Sequence, residues 1–283
     1  MSPLSWSEVL EGLRLNQAGL LAGCLIAAVC STIGVYVVLK RIVFVGVSLA
    51  QISGAGVALA FLLAPALPIA RDHPIAISLA VTLAGVLVYA QHGASARVPR
   101  ESGIGIGYLV ASALTLIFIV RSPKGLDEIK ELLDGNIVAL HGQDLISVAW
   151  LTGAVLAVHA AFHRQFLFTS FDPEMAATHG FRVRGWELLL HLTLGVTIAA
   201  SIQYAGLLAV FAYLVMPAVT GLCVARRMKP VMLVSMATAV LSTVVGFALA
   251  LKWDLPTSPP MIAVMTLALS AAWLLSRLRR SAN

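Results

Sequence analysis

Nine apolar runs, each close to the length of a bilayer-crossing helix, dominate this chain and leave little room for any other fold. They cover residues 17–39, 42–64, 75–91, 103–120, 144–163, 187–203, 206–225, 231–251 and 260–276. The hydrocarbon core of a bilayer is about 30 Å thick, so about 20 apolar residues cross it as an α-helix. Within that core every backbone N–H and C=O must be satisfied internally, which leaves helices or closed barrels. The runs lack the alternation of barrel strands. The expected fold is therefore an all-α integral membrane protein, a polytopic bundle of eight or nine transmembrane helices, with 75–91 and 187–203 the short members. Composition agrees. The 283 residues are 59% hydrophobic and 11% charged, where soluble domains carry about 25% charge. No linker or low-complexity tract divides the chain, so residues 1–283 read as one transmembrane domain.

Loop charges orient the bundle. Thirteen of the nineteen basic residues fall on one side: Lys40, Arg41, Arg97, Arg100, Arg164, Arg182, Arg184, Arg226, Arg227, Lys229, Arg277, Arg279 and Arg280. Arg14, Arg71, Arg121, Lys124, Lys130 and Lys252 fall on the other. The positive-inside rule places the first set in the cytoplasm, the N-terminus outside and the C-terminus inside. Loop bias and anionic lipid headgroups account for the net charge of +6 without any nucleic acid. The first 16 residues lack a basic n-region and carry Glu8 and Glu11, unlike a cleaved signal peptide. Cys24, Cys30 and Cys223 lie within spans and read as packing residues rather than a disulfide framework.

Outside the spans, 125–134 is amphipathic, with Leu126, Ile129, Leu132 and Leu133 at helical spacing, and reads as an interfacial helix at the outer surface. Small residues at Ser53-Gly54-Ala55-Gly56, and at Gly103, Gly105 and Gly107, mark places for close helix packing. The Gly103–Gly107 run lacks the strand and the Lys-Ser/Thr of a phosphate-binding loop, and no G-x-x-x-x-G-K-[ST] occurs anywhere. If ATP powers this protein, another subunit must hydrolyse it.

One polar island interrupts the apolar pattern at residues 171–181. Asp172 suits the N-cap of a short helix, Pro173 its first position, and Glu174 the positive end of the helix dipole. Met175 and Ala176 continue it, His179 closes it, and Gly180 suits the left-handed residue beyond the end. By loop charge this rigid two-turn helix faces the cytoplasm.

Three stretches resemble the permease subunits of bacterial ABC importers for manganese, zinc and iron, the metal-chelate uptake class. One is Lys40-Arg41 followed by Gly46-Val47-Ser48-Leu49-Ala50-Gln51. A second is Leu132-Leu133-Asp134-Gly135-Asn136-Ile137 with Gln143-Asp144-Leu145. The third runs from Phe171-Asp172-Pro173-Glu174-Met175-Ala176 through Gly180-Phe181, Gly206-Leu207-Leu208, Met216-Pro217 and Asp254-Leu255-Pro256-Thr257. The resemblance spans residues 17–276. It implies a homodimeric channel in the bacterial inner membrane, two cytoplasmic ABC ATPase subunits and an extracytoplasmic substrate-binding protein. Divalent metal would be the transported substrate, ATP would act through the partner subunit, and no cofactor would be covalently bound. The helix at 172–179 would be the coupling helix that sits in a groove of the ATPase.

The substrate end departs from that pattern. The family carries Asp and His four residues apart on its second span, and this chain has Val47 and Gln51 there. Valine cannot ligate, and an amide oxygen is a weak neutral ligand. Either the substrate is different or chelated, or metal binds elsewhere. Ser48 and Gln51 remain the polar candidates for the pathway. His159 with His163, and Glu187 with His191, recur at i, i+4 toward the cytoplasmic ends of neighbouring spans. They read either as a four-residue exit-side metal site or as solvated interfacial groups. In a self-sufficient proton-coupled transporter the same four would form a relay. His73, His92 and His141 sit in loops. Pro217 should kink its span, and Gln203 with Tyr204 would line the outer mouth of the pathway.

Overall fold

The structure, a computed structural model, describes residues 4–91, 99–122, 135, 140 and 142–281. The described segments form helices α1 (Trp6–Leu15), α2 (Gln17–Leu39), α3 (Val43–Leu63), α4 (Pro68–Asp72), α5 (Pro74–Gln91) and α6 (Arg100–Arg121). After residues 123–134 come α7 (Gly142–Ala161), α8 (His163–Phe171), α9 (Pro173–Thr178), α10 (Val183–Val224), α11 (Met228–Trp253) and α12 (Ser258–Ser281). The interfacial helix expected at 125–134, His92 and His141 lie outside the described residues, as does all of the Leu132–Ile137 motif except Gly135.

Seven of these helices are long and apolar enough to cross a membrane, and Pro74–Ala90 is a shorter apolar helix. One of the seven, α10, is two spans in one. Its 42 residues would extend about 63 Å if straight, twice what a bilayer needs. At Gly206 the backbone takes φ 80° and ψ 158°, a conformation open essentially to glycine alone. Packing on α2 shows that the chain reverses there. Glu187, before the break, meets Lys40 at the end of α2, and Leu222, after it, packs in the cluster of Val35 and Leu39 near the same end. Counting both halves of α10 and the shorter α5, the described bundle has nine apolar helical segments, and the break at Gly206 opens the apolar run 206–225. Pro217 lies inside the second half of α10, where the dihedrals stay helical. Proline near φ −65° keeps helical dihedrals while removing one backbone hydrogen bond, whereas φ 80° at Gly206 ends the first half of the helix.

The α2 helix runs through the middle. Ile26, Ile33 and Tyr36 are fully buried among α7, α10 and α11. Peripheral helices turn apolar side chains outward, as Leu109 and Val120 on α6, Trp150 on α7 and Leu267 on α12 all do. That is the reverse of a soluble protein and what lipid requires. Between helices, small polar groups pair in the dry interior. Ser53 bonds Ser78 at 2.9 Å, and the Tyr213 hydroxyl bonds Thr243 at 2.6 Å. Of the small-residue stretches, Ser53–Gly56 is buried against α5, while Gly103 and Gly105 face open space.

The bundle has a basic end, marked by Lys40, Arg164, Arg182, Arg226 and Arg227, and an opposite end. At the opposite end α1 is fixed by a capping box, in which the Ser5 N–H donates to Glu8 Oε2 at 2.7 Å and the Glu8 N–H to Ser5 Oγ at 3.4 Å. The Ser5 hydroxyl, donating to the same carboxylate oxygen at 2.7 Å, and the Ser5 N–H together hold the exposed Glu8 carboxyl below its ordinary pKa. Lys252 lies 3.9 Å over the Trp6 ring and ties α1 to α11.

Candidate functional site

At the basic end, α8, α9 and the start of α10 form one projecting elbow. Asp172 Oδ1 accepts the Met175 N–H at 2.9 Å and caps α9, with Pro173 in the first turn. Beyond the helix, Phe181 N–H donates to Ala176 O at 3.1 Å and Gly180 N–H to Ala177 O at 3.0 Å. Gly180 sits at φ +83° between them. This pattern satisfies carbonyls that would otherwise be orphaned at the helix end. His179 Nδ1 lies 2.9 Å from Met175 O. Ala176 is fully buried against the elbow, whereas Glu174, Met175 and Phe171 are exposed. Edge-on contacts of Phe168 with Phe181 and His179 lock α9 onto α8. The product is a short rigid helix, closed at both ends, that presents an apolar and an acidic side chain outward.

The residues considered as metal ligands each meet a different partner, and His159, His163 and Glu187 tie the elbow to the bundle. Tyr36 OH lies 2.8 Å from His163 Nδ1. His159 stacks on Phe166 with centroids 4.5 Å apart, and its Nε2 lies 3.0 Å from Thr193 Oγ1. Glu187 Oε1 forms an ion pair with Lys40 Nζ at 3.0 Å. His191 Nδ1 lies 2.7 Å from the Glu187 carbonyl oxygen. Among the described residues no group of three or more His, Cys, Asp or Glu converges to hold a metal. The four-residue site is therefore not assembled. His163 is not even on the same helix as His159, because α7 ends at Ala161 and α8 opens at His163. Lys40 was the missing signal: read as a cytoplasmic charge, it is an internal partner of Glu187.

Between the first turns of α3 and α6 lies a cleft of about 470 Å³ lined by Phe44, Val47, Glu101, Ile104, Gly105, Tyr108 and Leu109. Val47 faces it, so the position where a ligand is missing does border an open space. Ser48 is turned inward, fully buried, and shares a short hydrogen bond with Tyr89 OH. Gln51 is half-buried on the same helix. Gln203 lies near the opposite end, beside the Gly206 turn, with its side-chain oxygen buried. Tyr204 OH donates to Asp144 at 3.4 Å.

A bundle of long apolar helices with a capped helix exposed at its basic end defines an integral membrane protein. The chain belongs to the ABC 3 transport family, whose model matches residues 13–276. It is 24% identical over 269 residues to the manganese transport system membrane protein MntC of Listeria innocua, covering 94% of this chain and 93% of that one. It is 25% identical over 263 residues to the manganese import system permease protein ScaB of Streptococcus gordonii, covering 92% of each. Among solved structures it resembles PsaBC from Streptococcus pneumoniae in complex with Fab, with TM-score 0.81 and 22% identity over 95% of this chain and 94% of that one. At that identity the likeness is one of fold.

Proposed function

We propose that this chain is the membrane-spanning permease of an ATP-driven importer that carries a divalent metal ion, manganese before zinc or iron, into the cytoplasm. Manganese comes from the names of its relatives. Zinc and iron rest on the family resemblance alone. The observation that carries the mechanism is α9, a doubly capped helix that stands exposed at the basic end. By the positive-inside rule that end faces the cytoplasm of a bacterial inner membrane, with the N-terminus outside and the C-terminus inside. Two copies would form the channel, two ATPase subunits would each take one α9, and a binding protein would deliver metal to the opposite end.

In this scheme the chain performs no chemistry, and the metal is cargo. Asp172, Pro173, Ala176, His179 and Gly180 fix the shape of α9, while Glu174 and Met175 meet the ATPase. ATP-driven closure of the ATPase pair then pushes α9. Because the helix is capped and locked onto α8, the push turns whole spans as rigid bodies. Ser48, Gln51, Gln203 and Pro217 lie along the translocation pathway. Reconstitution tests this directly: uptake should require the ATPase subunits and ATP, and uptake without them that follows a proton gradient would make the chain a secondary transporter.

The cleft beside Val47 favours a second reading of the cargo. Its walls are apolar apart from Glu101 and Tyr108, too few donors to replace the shell of a dehydrated divalent ion. A metal passing there would keep water or a chelator as its ligands.

A further inference from the structure

Lys40 joins three helices at one point. Its ammonium donates to Thr169 O at 3.0 Å and to Glu187 Oε1 at 3.0 Å, and its side chain is only 7% exposed. Thr169 lies in the last turn of α8, just before α9, and its carbonyl belongs to the group that a helix end leaves without an internal donor. Glu187 lies in the second turn of α10, just after α9. Lys40 itself caps the end of α2, where a cation also meets the negative end of that helix. One side chain therefore closes a bracket around both flanks of α9 and fastens them to the central span.

Two features make the bracket stiff. The chain leaves α2 through Arg41 at φ +57°, with Ile42 N–H donating to Val37 O at 3.0 Å, so the residue after Lys40 is held in a tight reversal. One turn back along α2, Tyr36 OH meets His163 Nδ1 and anchors the opposite end of α8. The α8 helix is thus pinned at its start by Tyr36 and at its finish by Lys40.

We infer that Lys40 is a positioning residue that makes α9 and α2 move as one body, so that a displacement of α9 reaches the central span instead of being absorbed in the elbow. This rests on α9 being the ATPase contact. Without the bracket, α8 and the first turns of α10 can shift separately on the end of α2, and ATP hydrolysis is no longer matched by transport.

The test uses the full complex of this chain with its ATPase subunits and binding protein in proteoliposomes, with manganese as the probe, and reads metal imported per ATP hydrolysed. Lys40→Met keeps the aliphatic stem and removes both bonds. It should leave the assembled complex and its ATP hydrolysis in place while imported metal per ATP falls about tenfold, and Lys40→Arg should recover most of the loss. Glu187→Ala opens only one arm and should give a smaller loss, which keeps the test decisive if Lys40→Met fails to assemble. Unchanged metal per ATP in Lys40→Met, or in Glu187→Ala where Lys40→Met does not assemble, overturns the bracket. Failure of the underlying reading looks different: Met175→Arg on the exposed face of α9 would then leave ATPase binding intact.

Discussion

At Gly34 the backbone of α2 passes so close to α10 that a methyl group would land on the carbonyl oxygen of Leu214. Neither backbone can retreat, since Ile33 and Leu214 are both buried in the core. Helices in lipid gain little from hydrophobic association and depend on such close contact. Gly34→Ala should therefore destabilise the bundle by about 1–3 kcal/mol, the usual cost of overpacking. A lowered midpoint in a detergent thermal melt would register it, and an unchanged midpoint would mean that α2 and α10 are not in this register. Electrostatics at residue scale are milder. Glu8 has its pKa lowered by bonds from Ser5, so its contribution is present above the unfolded value and is lost as pH falls through the lower, folded one. Protection of the α1 amides, taken relative to their intrinsic exchange rates at each pH, should fall in acid while that of α2 does not, and an equal fall in both would argue against the capping box.

At the scale of elements, α9 depends on its caps because six residues are too few to hold a helix by propensity. Asp172→Ala removes the acceptor of the Met175 N–H and should cost about 1 kcal/mol locally. The expected outcome is weaker association with the ATPase subunits in a pull-down titration, with the melting midpoint of the bundle unchanged. Association at full strength would mean that the cap does not shape the contact. This helix was legible in the sequence because its determinants are local: an N-cap, a proline and a glycine within one short stretch. The spans were legible because lipid demands long apolar runs. The fates of His159, His163 and Glu187 were not, because they are settled by Thr193, Tyr36 and Lys40, contributed by other helices. Spacing at i, i+4 showed that two side chains share a helix face but not where they turn, and the α7–α8 boundary at Phe162 removed even that for the histidines. The turn at Gly206 was legible as a boundary between two apolar runs, but its φ of 80° was not, because the reversal of α10 against α2 settles it.

For the whole molecule, the two ends differ in how closely they keep the family pattern. The basic end has a complete capped helix, braced on both sides. The cleft beside Val47 lacks the Asp and His that the resemblance leads one to expect. If bare metal travels along this face, Val47→Asp combined with Gln51→His should raise divalent-ion affinity, measured by calorimetry on the purified protein, and unchanged affinity would place the pathway elsewhere. The most direct test of the whole scheme is manganese uptake into proteoliposomes holding this chain, its ATPase subunits and its binding protein, with ATP supplied on the side of α9. Uptake that appears with ATP and disappears when the ATPase is omitted is the expected result. Uptake that is indifferent to ATP and the ATPase but collapses with the proton gradient would contradict it.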